Sequence, residues 1–137
     1  DNQNMKKETV YVLVDDQSAF LKSFQLAAKL MRIRNYHVFK TSDELLGVLN
    51  GHANLRALIV DWDLRGSSMQ KSDLIKELSR RKPDVPVYVV STSSHPHEMT
   101  EARKAGAAGW IVKTDMFTVL KKWIAEKDAI SDFMVWR

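Results

Sequence analysis

Polar side chains that could do chemistry stand where short apolar runs end: Asp15 and Asp16 after Val10 to Val14, Asp61 after Ala57 to Val60, Ser91 after Val87 to Val90, and Lys113 after Trp110 to Val112. Three carboxylates with ordinary pKa values of about 3.9 are all ionised at neutral pH and repel one another when brought together, so a cluster of them calls for a cation. An all-oxygen site with one lysine suits Mg²⁺, a hard ion that takes one or two carboxylates, keeps waters and leaves room for phosphate oxygens. An aspartate can accept a phosphoryl group as an acyl phosphate when that group is held in line and its charge is neutralised. In that chemistry Asp61 is the nucleophile, Mg²⁺ and the Lys113 ammonium stabilise the equatorial oxygens, and the Ser91 hydroxyl donates to one of them. Taken singly, an Asp at a strand end reads first as a helix cap or turn residue. Four strand ends carrying such residues at once are harder to read that way.

The elements that must bring these residues together follow from periodicity. Val10 to Val14 is a β-branched apolar run suited to a strand buried on both faces. Phe20, Phe24, Ala27 and Met31, widened by Leu26, Leu30 and Ile33, predict a helix over Ser18 to Ile33. Tyr36 to Lys40 reads as the second strand. Thr41 with Glu44 three residues on is a capping-box signature for a second helix ending at Gly51. Ala57 to Val60 is the third strand, followed by a loop from Trp62 to Gln70 and a helix from about Ser72 with Leu74, Ile75 and Leu78 as its apolar stripe. Pro83 and Pro86 lead into the fourth strand, Val87 to Val90. The short helix Glu98 to Ala105 has only Met99, Ala102 and Ala105 on its apolar side and is expected to be weakly held, with Gly106 as its stop. Trp110 to Val112 is the fifth strand, and Thr114 or Asp115 caps a last helix carrying Phe117, Leu120 and Ile124.

Strict alternation of strand and helix, five times over, predicts an α/β fold: a five-stranded parallel sheet, doubly wound, with helices on both faces. Ligands of such sheets bind beyond the carboxyl ends of the strands, where strand order switches. With 137 residues, 45% apolar and 28% charged, the chain fits one compact soluble domain. The absence of cysteine excludes disulfides and thiolate chemistry. The polar start of the chain lacks a signal-peptide core and no apolar run is long enough to span a bilayer, so a cytoplasmic location is expected. The net charge of +4 is spread over separate segments, Arg32 with Arg34, Arg80 to Lys82 and Lys121 with Lys122, and reads as solvated surface rather than a nucleic-acid footprint.

At these residues the sequence resembles the receiver domains of two-component response regulators, a flavodoxin-like (βα)5 family, over about Val10 to Ala125. Asp15-Asp16 follows the first strand as in that family, and Asp61 sits at its phosphoacceptor position with Leu64 three residues on. Pro86 to Ser91 is similar to the strand that ends in the family's hydroxyl residue, and Gly106 to Lys113 to the segment that supplies its switch aromatic, here Trp110, and its lysine. The resemblance implies that Asp16 and Asp61 ligate Mg²⁺ directly, that Asp15 helps through water, and that the backbone carbonyl of Asp63 completes the protein's share. It implies a histidine kinase or phosphotransfer protein as donor, and switching through Ser91, Thr92 and Trp110. Phosphorylation adds charge and acceptor oxygens that can draw the Ser91 loop inward. The chain departs from the family pattern at Thr114 and Arg65, where prolines are usual, at Thr92, where a smaller residue is frequent, and at Asp63, which adds a carboxylate near the approach of an attacking water. With Thr114 in place of proline, no cis peptide is expected after Lys113.

The receiver is expected to span residues 9–126, with a disordered extension over 1–8 and a C-terminal extension or linker over 127–137, either standing alone or as part of a longer regulator. It is expected to be a phosphoacceptor rather than an enzyme, slow autodephosphorylation aside. Two rivals stand beside this reading. One is a pseudo-receiver that binds partners without taking phosphate. The other rests on Asp61-Trp62-Asp63, which also resembles the nucleophile motif of haloacid-dehalogenase-type phosphatases, although that motif usually opens its fold. His37, His52, His95 and His97 read as plain surface. The last helix carries an apolar arc of roughly 160°, wider than the ~100° a core face needs. Val119 and Trp123 are therefore expected at the surface, either under Phe133 to Trp136 folding back or as part of a partner or homodimer face formed by helix four, strand five and helix five. No membrane or direct nucleic-acid contact is expected.

Overall fold

The computed structural model describes residues 11–49 and 55–126. Val10, Gly51, His52 and the two terminal extensions, including the fold-back of Phe133 to Trp136, lie outside them. Five strands, β1 (Tyr11–Val14), β2 (Tyr36–Phe39), β3 (Ala57–Asp61), β4 (Val87–Ser91) and β5 (Gly109–Val112), alternate with α1 (Ser18–Leu30), α2 (Ser42–Val48), α3 (Lys71–Arg81), α4 (Pro96–Ala105) and α5 (Met116–Glu126). All strand pairs are parallel, as the alternation predicts, and the order is β2-β1-β3-β4-β5. The chain leaves β1 towards one edge and returns to β3 on its other side. The order therefore reverses between β1 and β3, where Asp15 and Asp61 emerge.

Period-two alternation along the strands feeds two cores. Val12, Val14, Leu58, Val60, Val87 and Val89 pack under α2, α3 and α4, while Tyr11, Leu13, Ile59, Tyr88, Val90 and Ile111 pack under α1 and α5. β1, β3 and β4 are buried on both faces, which is why they read as unbroken apolar runs. Thr41 and Glu44 form the expected capping box at α2. Gly106 stops α4 at φ 115°, and a Cβ there would stand 3.0 Å from Ser79 Oγ. α4 buries only Ala102 and Ala105, as its thin stripe implied, and polar contacts add to its hold: Glu98 to Trp62 and Glu101 to Ser72. No helix of the described residues is long and apolar enough to cross a membrane.

Two expectations about helix faces are corrected. α1 ends at Leu30, not Ile33, because Arg32 turns to φ 59° and the Ile33 N–H returns to Ala28 O at 2.8 Å. Its buried side is Leu21, Phe24 and Ala28, one residue out of phase with the stripe through Ala27 and Met31, and Leu26 and Leu30 are exposed at 59% and 76%. In α5, Val119 and Trp123 are buried, not surplus. The Trp123 indole stacks on Tyr11 with centroids 5.9 Å apart and leans on Tyr88 at 5.0 Å. The two tyrosines line a slot deep enough for an indole, so the helix needs its wide apolar arc for the core. His37 also departs from plain surface, being half-buried with its ring stacked on Phe39 at 4.4 Å.

Trp123→Ala would leave a large cavity between the two tyrosines. It is expected to cost about 3–5 kcal/mol in urea denaturation, where a surface tryptophan would cost almost nothing.

Candidate functional site

At the carboxyl ends of β1 and β3 the register pairs Val14 with Val60, so the next residues, Asp15 and Asp61, emerge side by side. Oxygens of Asp15, Asp16 and Asp61 lie within 4.8 Å of one another. Asp15 is fully buried and Asp61 is 6% exposed, because the strands below them are apolar on both faces and the loops close around them. Lys113, just past β5, crosses the end of β4 to place Nζ 2.8 Å from Asp15 Oδ2 and 3.6 Å from Asp61 Oδ1. The same ammonium donates to Gln17 Oε1 at 2.6 Å and lies 4.7 Å from the centre of the Phe20 ring.

One ammonium faces three carboxylates here, and burial raises the cost of charging them. Burial pushes the Asp61 carboxyl up to about 7. The Asp15 charge adds to that, Lys113 opposes it, and Asp16 adds again. Asp15 is also raised by burial, against the pull of Lys113 and of the Gln17 N–H, which donates to Oδ1 at 2.8 Å. The other Asp15 oxygen, Oδ2, is buried and has the Lys113 ammonium 2.8 Å away as its cationic contact. Three carboxylates whose oxygens lie this close, with one ammonium shared between two of them, fit a small hard cation such as Mg²⁺.

The remaining predicted residues are dispersed around this cluster. Ser91 is buried at the end of β4, opposite Val112 of β5 and so next to Lys113 in space. Thr92 is exposed. Trp110 is half-buried, with its ring 5.3 Å from that of Trp62. Asp63 stands apart from the cluster, its carboxylate exposed and 3.4 Å from Lys71 Nζ. His95 and His97 are both exposed, their rings stacked 6.2 Å apart. Among the described residues no peptide is cis, in line with Thr114 after the lysine.

Several contributors were not visible in the sequence. Ser93 links two predicted switch residues through its backbone: its N–H donates to Ser91 Oγ at 3.3 Å and its carbonyl accepts from Trp110 Nε1 at 2.8 Å. Glu98 accepts from Trp62 Nε1 at 2.7 Å, tying the residue after Asp61 to the first turn of α4. Gln17 holds Lys113. Backbone contacts leave no sequence signal, but a polar residue directly after the acidic pair could have marked Gln17.

The chain matches the response regulator receiver domain family over residues 11–125. It is 26% identical over 113 residues to the chemotaxis protein CheY1 of Helicobacter pylori, covering 81% of this chain and 90% of that protein. Its fold is similar to the non-phosphorylated receiver domain of the stress response regulator RcsB from Escherichia coli, with TM-score 0.72 at 19% identity over 90% of this chain and 92% of that one. It is also similar to the RcsB response regulator of Salmonella typhimurium, with TM-score 0.72 at 20% identity over 89% of this chain, which spans 60% of that longer protein. With an acidic cluster at the switch point of a β2-β1-β3-β4-β5 sheet and a family match over nearly all of its described residues, the chain belongs to the response regulator receiver domains of two-component signalling.

Proposed function

We propose that this receiver accepts a phosphoryl group on Asp61, with Mg²⁺ held by Asp16, Asp61 and the Asp63 backbone carbonyl and supported by Asp15 through water. The observation that carries this reading is the convergence of three carboxylates with the Lys113 ammonium at the sheet's switch point. In the transfer, an Asp61 oxygen forms a bond to phosphorus as the bond to the phosphohistidine nitrogen of a histidine kinase or phosphotransfer protein breaks. The bonding pair leaves with the imidazole. Bound Mg²⁺ would supply the positive charge that one lysine cannot, offsetting the carboxylates and the incoming phosphoryl oxygens. Lys113, steadied by Gln17 and Phe20, points its ammonium at the same oxygens, and Ser91 is placed to donate its hydroxyl to one of them.

A Ser91 hydroxyl drawn towards a phosphoryl oxygen gives up its contact with the Ser93 N–H. The Ser93 carbonyl, which accepts from Trp110, then moves with its loop and with Thr92. This chain of contacts leads to a partner or homodimer face on α4, β5 and α5, of which Val119 and Trp123 form no part. The domain is read as a cytoplasmic signalling module over residues 9–126 rather than an enzyme. Asp63, paired with Lys71 and outside the carboxylate cluster, is poorly placed as the general acid of a phosphatase.

Acetyl phosphate with Mg²⁺ is expected to add one phosphoryl group per chain by intact mass, and none to Asp61→Asn. Modification of the variant at wild-type stoichiometry would move the acceptor elsewhere. Tryptophan emission, through Trp62, is expected to change with millimolar Mg²⁺, and Asp16→Asn to shift that titration to higher concentration.

The carboxylate cluster also fixes a pH dependence. Asp61 ionises near 3.8 in the unfolded chain and near 7 when folded, so between those values the folded state keeps a proton that the unfolded state has lost. In metal-free buffer this contribution is fully present below about pH 4 and is lost as pH rises towards 7. Asp61→Asn is expected to flatten the decline, leaving the part due to Asp15, and to be more stable than wild type at pH 8 without metal. Urea midpoints across this range check it; a variant less stable than wild type at pH 8 contradicts the assignment.

A further inference from the structure

We propose that the groove between α1 and β2, at the edge of the sheet remote from β5, docks an acidic, extended segment of a partner protein that adds to β2 as a sixth strand. β2 is the edge strand. Its alternate residues bond to β1: the carbonyls of Asn35 and Phe39 accept from the N–H groups of Tyr11 and Asp15. In a parallel ladder the intervening residues point the other way, so Tyr36 and Val38 present N–H and C=O groups at an edge that no other described strand covers. Their side chains pack on the α1 side of the sheet. There they floor an open groove of about 1320 Å³ whose other wall is the last turns of α1.

The chemistry of the groove selects its occupant. Lys29, Arg32 and Arg34 line it, and none has an ion-pair partner among the described residues. Leu26, one of only two large exposed apolar residues among those described, lines it too. Arg32 holds φ 59°, a conformation that glycine adopts without penalty and arginine does not. Glycine would end α1 there at lower cost; arginine instead adds a guanidinium to the groove. An extended strand with carboxylates on alternate residues would turn all of them to the α1 side, where they meet these cations and their methylene stems cover Leu26, while its backbone pairs with Tyr36 and Val38 and its intervening residues face the other side of the sheet. A second copy of this chain is a poor occupant, because two-fold pairing of the edges would set the same cations against one another.

The test uses the full chain and a fluorescein-labelled nonapeptide of alternating glutamate and valine, followed by anisotropy. Binding is expected to weaken with salt, by about tenfold in Lys29→Glu/Arg34→Glu, and on N-methylation of alternate peptide nitrogens. Arg32→Gly is expected to weaken binding several-fold while raising the urea midpoint, two effects of opposite sign that a damaged fold cannot produce together. On the wild type, which needs no variant to fold, the peptide should slow amide exchange at Tyr36 and Val38 and leave His37 and Phe39 unchanged. No binding, equal binding by the charge-reversed variant, or protection without that alternation overturns the proposal. Tighter binding of an oligothymidine than of the peptide overturns it in favour of a nucleic-acid surface, and peptide-independent dimers in sedimentation in favour of self-association.

Discussion

The structure depends on a crowding of like charge that its own hydrophobic packing enforces. β1 and β3 lie side by side and are apolar on both faces, so neither Asp15 nor Asp61 can turn away into solvent along its strand. Both sit at the first position past the apolar layers, where burial and mutual repulsion push their carboxyl groups up. Lys113 enters from two strands away, and a flexible stem with a compact ammonium suits that reach better than a planar guanidinium would. Its ammonium lies over the Phe20 ring and is shared between Asp15, Asp61 and Gln17. One cation divided among these acceptors leaves the cluster under-neutralised.

Much of this was legible in the sequence, for identifiable reasons. Strands buried on both faces appear as continuous β-branched runs, and the polar residue that closes each run marks the sheet's end, so Asp15, Asp61, Ser91 and Lys113 were found by position. The faces of α1 and α5 were less legible. In α1, apolar residues stand next to each other at Phe20-Leu21 and Ala27-Ala28, so two stripes one residue apart are equally periodic. The choice between them is made by how the helix packs into the core it shares with Leu13 and Ile59, residues distant in sequence that leave no local signal. In α5, the apparent excess of apolar surface is taken up by Tyr11 and Tyr88, more than thirty residues away in sequence. The backbone links through Ser93 were out of reach, since any residue can supply an N–H and a carbonyl.

The two helices that flank β5 are held in contrasting ways. α5 is pinned by an indole seated against two phenol rings and by Met116, Val119 and Leu120 in the same core. α4 rests on the methyl groups of Ala102 and Ala105, with Glu98 and Glu101 reaching to Trp62 and Ser72. Alanine contacts are shallow and can slide, and a carboxylate can exchange its partner for water at little cost, whereas moving the indole would open a cavity. The two helices behave as springs of unequal stiffness joined to one strand. A displacement arriving at the end of β4 or β5 is therefore shared unequally, with α4 taking nearly all the strain and α5 serving as the fixed abutment against which it is measured.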